Sequence, residues 1–284
     1  MSVYKKNPCE KKSQNDGQNI DSQRKNEQGS EVGLIVSNQR IRYAGIDYLR
    51  GIILISMILF HGSWDVVYLF GAEWDWFQSG FAYVWQQSIC WSFILLSGFC
   101  WPLGRNIWKR GLIIFLAGVL VTVVTKLFMP SGIIIFGVLT FIGSSMLLMI
   151  PLDKVLRHCP SVIGALFFFV LFILTRNVNY GCLGFEKWNW MSLPENLYAN
   201  WITTYLGFME PGFYSADYFS LIPWLFLFVT GYFLYGIFQK HNWMKWFHVP
   251  SCSWFVWLEW LGKHSLIVYI LHQPIVYGVL LILL

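Results

Sequence analysis

The chain has 284 residues, 56% of them hydrophobic and 12% charged, with a mean hydropathy of +0.51. Soluble domains carry about a quarter charged residues, so this composition excludes an ordinary soluble globular domain and points to an integral membrane protein. The formal net charge of +5 does not mark a nucleic-acid binder, because the basic residues gather on no single soluble domain.

In chain order, residues 1–43 come first, rich in Lys, Glu, Gln, Asn and Ser. Such a stretch cannot bury enough apolar surface to offset the cost of ordering, and it is expected to be a disordered cytoplasmic arm. No secretory signal is visible in it. Residues 44–284 then read as one transmembrane domain, an all-α polytopic bundle of about seven spans. A span needs ~20 apolar residues, and runs near that length lie at Ile46–Phe70, Phe81–Trp101, Ile107–Phe128, Ile133–Leu152, Val162–Thr175, Phe219–Phe238 and His264–Leu284. The fifth is short. Ser253–Leu261 is too brief to cross and reads as an interfacial aromatic segment. Trp and Tyr crowd the ends of several runs, as they do at membrane–water interfaces.

Charge sets the orientation. With the N-terminus in the cytoplasm, seventeen of the twenty Lys and Arg residues fall on inner segments, leaving only Lys126, Arg176 and Lys187 outside. Every turn obeys the positive-inside rule. The chain is therefore expected in a cell membrane, with the lipid bilayer as its first partner. The longest outer loop, Arg176–Asp217, carries Trp188, Trp190, Trp201, Glu186, Glu195 and Glu210. A loop of that length commonly binds something or acts as a lid; its aromatic and acidic surface suits a sugar, and interfacial anchoring explains it equally well. Six cysteines, Cys9, Cys90, Cys100, Cys159, Cys182 and Cys252, show no CxxC spacing and read as passive. No internal repeat is apparent.

The first span holds Asp47, Arg50, His61 and Asp65 in an otherwise apolar helix. At ~100° per residue, Arg50 lies about 60° and His61 about 40° from Asp47, while Asp65 returns to the same angle. The four polar groups share one stripe, and ionisable residues in a span normally face the bundle interior or a wet cavity. Arg50 sits near the cytoplasmic surface and His61 ~16 Å further along the axis. Asp65, one turn beyond, is placed to orient the imidazole. The alternative is structural: an interfacial Asp47–Arg50 pair and a histidine bridging helices. Gln86, Gln87, Thr140, Ser144 and Ser145 read as glue between helices. In the last run, His264 and Ser265 open the helix, and His272 and Gln273 follow two turns on, before Pro274. No phosphate loop, HExxH spacing or Ser-His-Asp signature is present, so no metal is expected.

Five stretches, Ile46–His61, Phe93–Arg105, Phe136–Leu148, Gly212–Leu225 and Leu261–Ile275, resemble the heparan-alpha-glucosaminide N-acetyltransferase catalytic-domain family, particularly its small bacterial members, and they occur in the family's order. The spacing of Arg50 and His61 is similar to the Arg–ten residues–His signature of acyltransferase-3 membrane proteins. The resemblance implies a bacterial plasma-membrane enzyme that moves an acetyl or other acyl group from cytoplasmic acyl-CoA, with acetyl-CoA as co-substrate, to a sugar or glycan on the other side. It implies His61 as the catalytic histidine, with Asp65 or Asp47 orienting it. Arg50, Arg105 and Arg110 would bind the donor's phosphates, and His272 and Gln273 would stabilise the oxyanion. His264, Ser265 and Trp224, within the matching stretches, complete the substrate-binding set. The human-type branch carries a histidine in the loop after the first span, where this chain has Ala72, Glu73, Trp74 and Asp75, so heparan as acceptor is not implied. A homo-oligomer is compatible with this reading. A transporter or flippase without chemistry is the main alternative, and a non-catalytic scaffold or sensor is the third.

Overall fold

The computed structural model describes residues 43–249 and 255–283. The expected polar arm, Cys9, Cys252 and the first two residues of the interfacial segment lie outside them. The described chain is mostly helical, with one small hairpin. The long helices are α1 (Ala44–Tyr68), α2 (Gly80–Phe99), α3 (Ile107–Phe128), α4 (Val138–Leu156) and α5 (Ser161–Leu174). An antiparallel hairpin of β1 (Cys182–Phe185) and β2 (Trp188–Ser192) follows, then the short α6 (Trp201–Leu206), α7 (Leu221–Lys240), α8 (Val256–Lys263) and α9 (Ser265–Leu283).

Six of these runs are long and apolar enough to cross a membrane: α1, α3, α4, the segment Ser161–Tyr180 that α5 opens, α7 and α9. The α2 helix has 20 residues, the same length as α7, but Gln86 and Gln87 dilute its apolar character. It packs against both α1 and α7, and we read it as the seventh span. The fourth run differs from expectation. Its helix starts at Val138 rather than Ile133, because residues 133–136 run beside residues 215–219, with Ala216 N–H donating to the Ile133 carbonyl at 2.9 Å and Phe219 N–H to that of Phe136 at 2.8 Å. An apolar run cannot reveal that its first residues lie outside the helix, since hydropathy does not report backbone angles.

The helices alternate in direction. One end of the bundle gathers the start of α1, the end of α2, the basic loop before α3 and the α7–α8 connection, where Phe99 meets Phe238 and Phe247. This is the basic end. The other, the hairpin end, gathers the α1–α2 loop, the hairpin and α6; Tyr83 at the head of α2 donates to Glu186 in the hairpin turn at 2.5 Å. The core lies mainly around α4 and α7, where Phe141, Phe172, Leu227 and Phe228 are fully buried. A second cluster, with Leu54, Met57, Phe60 and Phe77, joins α1 to α2 and their loop. In lipid such contacts act through close packing rather than exclusion of water, which rewards small residues at crossings. At the α2–α7 crossing a Cβ on Gly98 would stand 1.9 Å from the Phe228 carbonyl oxygen, so the two backbones touch.

The segment after α7 packs on the bundle along one face and keeps Trp257 and Trp260 exposed on the other. Its helix, α8, packs lengthwise on the first half of α1, and α9 then returns to pack on α1 as well. The three residues that open α9's turn, Lys263, His264 and Ser265, therefore sit at the basic end. By contrast His272 is the buried residue of α9, and most of that helix's surface is apolar and exposed.

Candidate functional site

The α1–α9 contact brings together two residues from each helix. On α1, His61 and Asp65 are one turn apart on one face; on α9, His272 and Gln273 are consecutive. The imidazole rings of His61 and His272 lie 5.0 Å apart, centroid to centroid, at 54°. Gln273 donates from Nε2 to Asp65 Oδ1 at 2.8 Å. Asp65 is fully buried and His272 is nearly so. The stripe inferred from helical periodicity thus faces another helix rather than lipid.

His272 is held by its own helix. Its Nδ1 lies 2.5 Å from the Tyr269 carbonyl oxygen. A carbonyl only accepts, so the neutral ring carries its proton on Nδ1 and leaves a lone pair on Nε2. That Nε2 is buried and has no hydrogen-bond partner among the described residues, and the same is true of Asp65 Oδ2 and Gln273 Oε1. Most buried polar atoms in folded proteins are paired, and leaving one unpaired costs about 1–3 kcal/mol. Three such atoms within one four-residue cluster, all of them acceptors, form a place suited to a ligand rich in N–H or O–H donors.

Several expectations are corrected by this geometry. Asp65 does not orient His61; it takes its hydrogen bond from Gln273. The group beside the His61 ring is His272. Asp47 cannot orient His61 either, since it pairs with Arg50 Nη1 at 3.3 Å, about four turns away along the helix. Gln273 spends its donor on Asp65 and is not free to aim that N–H at an oxyanion. Trp224 is 4% exposed, wedged against Phe172 and Phe219, with the Arg176 guanidinium 4.8 Å above its ring. It is a core residue and lines no open surface. His264 lies in the α8–α9 turn, its Nδ1 2.9 Å from the Trp260 carbonyl; with Ser265 it belongs to the basic end and not to the His61 cluster. Arg50, beside Cys100, and the exposed Arg105, Lys109 and Arg110 share that end.

The structure adds polar groups that sequence reasoning passed over. Tyr269, which fixes His272, lies three residues before it and therefore on the same helical face; that spacing was the available signal. Arg176, counted as an outer-loop charge, is buried: Nη2 donates to Gln87 Oε1 at 3.0 Å and Nε lies 3.7 Å from Glu186. Gln87 also accepts from Trp91 Nε1 at 3.2 Å, and Ser144 is bonded to the Tyr205 hydroxyl. These glutamine and serine residues do join helices and loops, as expected. Asp217, in the loop before α7, accepts from Val138 N–H at 3.2 Å, at the start of α4. Burial pushes its carboxyl up to about 6, against the pull of that N–H bond. Burial likewise raises the Tyr205 phenol, while its Ser144 bond opposes the rise. Nothing in the sequence around Arg176 or Asp217 distinguishes a loop charge that folds inward from one that stays in water.

Residues 42–274 match the family model described as heparan-alpha-glucosaminide N-acetyltransferase, catalytic. No curated protein matches the chain, and no solved structure does. The matched stretch contains both helices of the His61–His272 cluster as far as Pro274, and the basic end as well.

Proposed function

On the premise that the chain belongs to the heparan-alpha-glucosaminide N-acetyltransferase catalytic family, and so to a family of membrane acetyltransferases, we propose that it transfers an acetyl group from acetyl-CoA to an amino group of a glycan, with the His61–His272 cluster as the reacting centre. The observation that carries this is the Nε2 of His272: buried, unpartnered, and left with its lone pair because Nδ1 is tied to a carbonyl. A general base needs that arrangement of a fixed ring and a free lone pair.

In this reading the acceptor amine enters from the hairpin end, one N–H taken by Asp65 Oδ2 and the other facing His272 Nε2, while Gln273 Oε1 accepts from a neighbouring sugar hydroxyl. Its nitrogen attacks the thioester carbonyl carbon, the C–S bond breaks, and one N–H proton passes to His272 Nε2 and from there to the departing thiolate. The products are an amide and free CoA thiol. The second ring, His61, stands where it can donate a hydrogen bond to the carbonyl oxygen as charge develops on it. Asp47 keeps Arg50 extended along the helix, and Arg50 with Arg105, Lys109 and Arg110 offers positive charge for the donor's phosphates. His264 and Ser265 border the same end. The ~16 Å between Arg50 and His61 along α1 suits the pantetheine arm. The positive-inside distribution supports a cytoplasmic basic end, and in this reading the acceptor lies on the far side of a bacterial plasma membrane.

The test is turnover in purified, lipid-reconstituted protein, following CoA release with acetyl-CoA and glucosamine-containing saccharides. Losing a general base typically costs 10²–10⁴-fold, so His272→Ala should lower kcat by about that much while His61→Ala lowers it less. Full turnover in both variants would remove the cluster from the chemistry.

A further inference from the structure

The loop between α1 and α2 carries a second feature, on the same side as the proposed acceptor. Its sequence, Ala72-Glu73-Trp74-Asp75-Trp76-Phe77, alternates acidic and aromatic residues. A short 3₁₀ turn, Asp75–Gln78, holds it, and one ring anchors it: Phe77 is 5% exposed and packs 5.3 Å from Phe60. Trp74 and Trp76 stay outside, 37% and 43% exposed. They are not splayed separately as single interfacial anchors would be. Trp74 stacks on Trp76 at 5.7 Å and 25°, and Trp76 stacks on Trp85 at 6.4 Å and 28°. Trp85 is fixed by its Nε1 bond to Ser56 at 2.8 Å and stands edge-on to Phe60 at 5.3 Å. Phe60 in turn lies 6.0 Å from the His61 ring. A file of three near-parallel indoles thus runs from the loop to Phe60, the chain neighbour of His61.

We propose that Trp74 and Trp76, backed by Trp85, form a stacking platform for an acceptor saccharide that extends beyond its reacting residue, with Glu73 and Asp75 taking hydrogen bonds from its hydroxyl and amino groups. The inference rests on the acetyl-transfer reading given above. An aromatic face is electron-rich and attracts the polarised C–H groups on the flat side of a pyranose ring, as it attracts cations. Exposed indoles held by neighbours pay little entropy on binding, since their rotamers are already set. The two carboxylates beside them complement the positive charge of amino sugars. The file is longer than one sugar ring, so a single residue at His272 would leave Trp74 and Trp76 without contact. That is why the class named is an oligosaccharide bearing free amino groups rather than a monosaccharide.

The experiment compares glucosamine with its β-linked dimer, trimer and tetramer as acceptors, with saturating acetyl-CoA and reconstituted protein. The wild type should show an acceptor KM falling with chain length. Trp76→Ala and Trp74→Ala should each raise the KM for the trimer by about three- to tenfold, the scale of one aromatic contact, and leave kcat and the KM for acetyl-CoA unchanged. Trp76→Phe, which keeps a ring, should recover most of the loss. Transfer that is equally efficient for monomer and tetramer, or Trp→Ala variants that alter only thermal stability and membrane yield, would overturn the platform while leaving the acetyltransferase reading intact. If the wild type acetylates no amino saccharide of any length, the reading and the platform fall together.

Discussion

The first helix packs against both α8 and α9, and it meets them in different ways. Against α8 the contact is between backbones: a Cβ on Gly262 would stand 1.9 Å from the Asp47 carbonyl oxygen, and one on Gly51 would stand 2.4 Å from that of Leu258. Against α9 the helices are held apart. A Cβ on Gly62 would reach only Val276 Cγ1, at 3.5 Å. The close seam encloses no catalytic candidate apart from the Asp47–Arg50 pair at its edge. The open seam holds His61, Asp65, His272 and Gln273 with three unpartnered acceptors. Close packing and a reactive site compete for the same volume, so the helix that carries the chemistry is clamped on one face and left loose on the other.

Three substitutions would break or sharpen that contrast. The largest effect is expected for Gly262→Ala. The added methyl would meet fixed backbone, and forcing it in should cost on the order of 3 kcal/mol, seen as a marked fall in the thermal midpoint in detergent. A smaller loss, about 1 kcal/mol, is expected for Gln273→Leu, which deprives the buried Asp65 of its donor; the same variant should weaken acceptor binding without affecting the donor. The smallest effect has the opposite sign. Gly62→Ala, whose methyl would reach only Val276 Cγ1 at 3.5 Å, should be neutral or stabilise by up to about 1 kcal/mol through helix propensity. Equal losses for Gly262→Ala and Gly62→Ala would mean that both seams are tight, and the proposed acceptor route along α9 would close.

Much of this protein was legible before its structure. The spans emerged from length and hydropathy to within a few residues, except where residues 133–137 turned out not to be helical. The polar stripe on α1 was read from periodicity alone, and its turn toward the bundle follows from the cost of polar groups in lipid. His272 and Gln273 were marked because they interrupt an apolar run. The partners of these residues were not legible. Asp65 was matched to His61 by nearness along the helix, yet it bonds to Gln273, 208 positions later. Trp224 resembled a binding residue and proved to be core, since an aromatic ring in an apolar run looks the same whether it lines a surface or fills an interior.

The sequence by itself determined which segments are apolar enough to enter the membrane and which side of each helix is polar, because these depend on local composition and on a helical repeat of 3.6 residues. Only the tertiary structure decided that α8 takes the tight face of α1 and α9 the loose one. It also decided that His61 faces His272 and that Arg176 folds inward. Pairing between helices depends on backbone approach and side-chain fit across long stretches of chain, and no window of neighbouring residues contains that information.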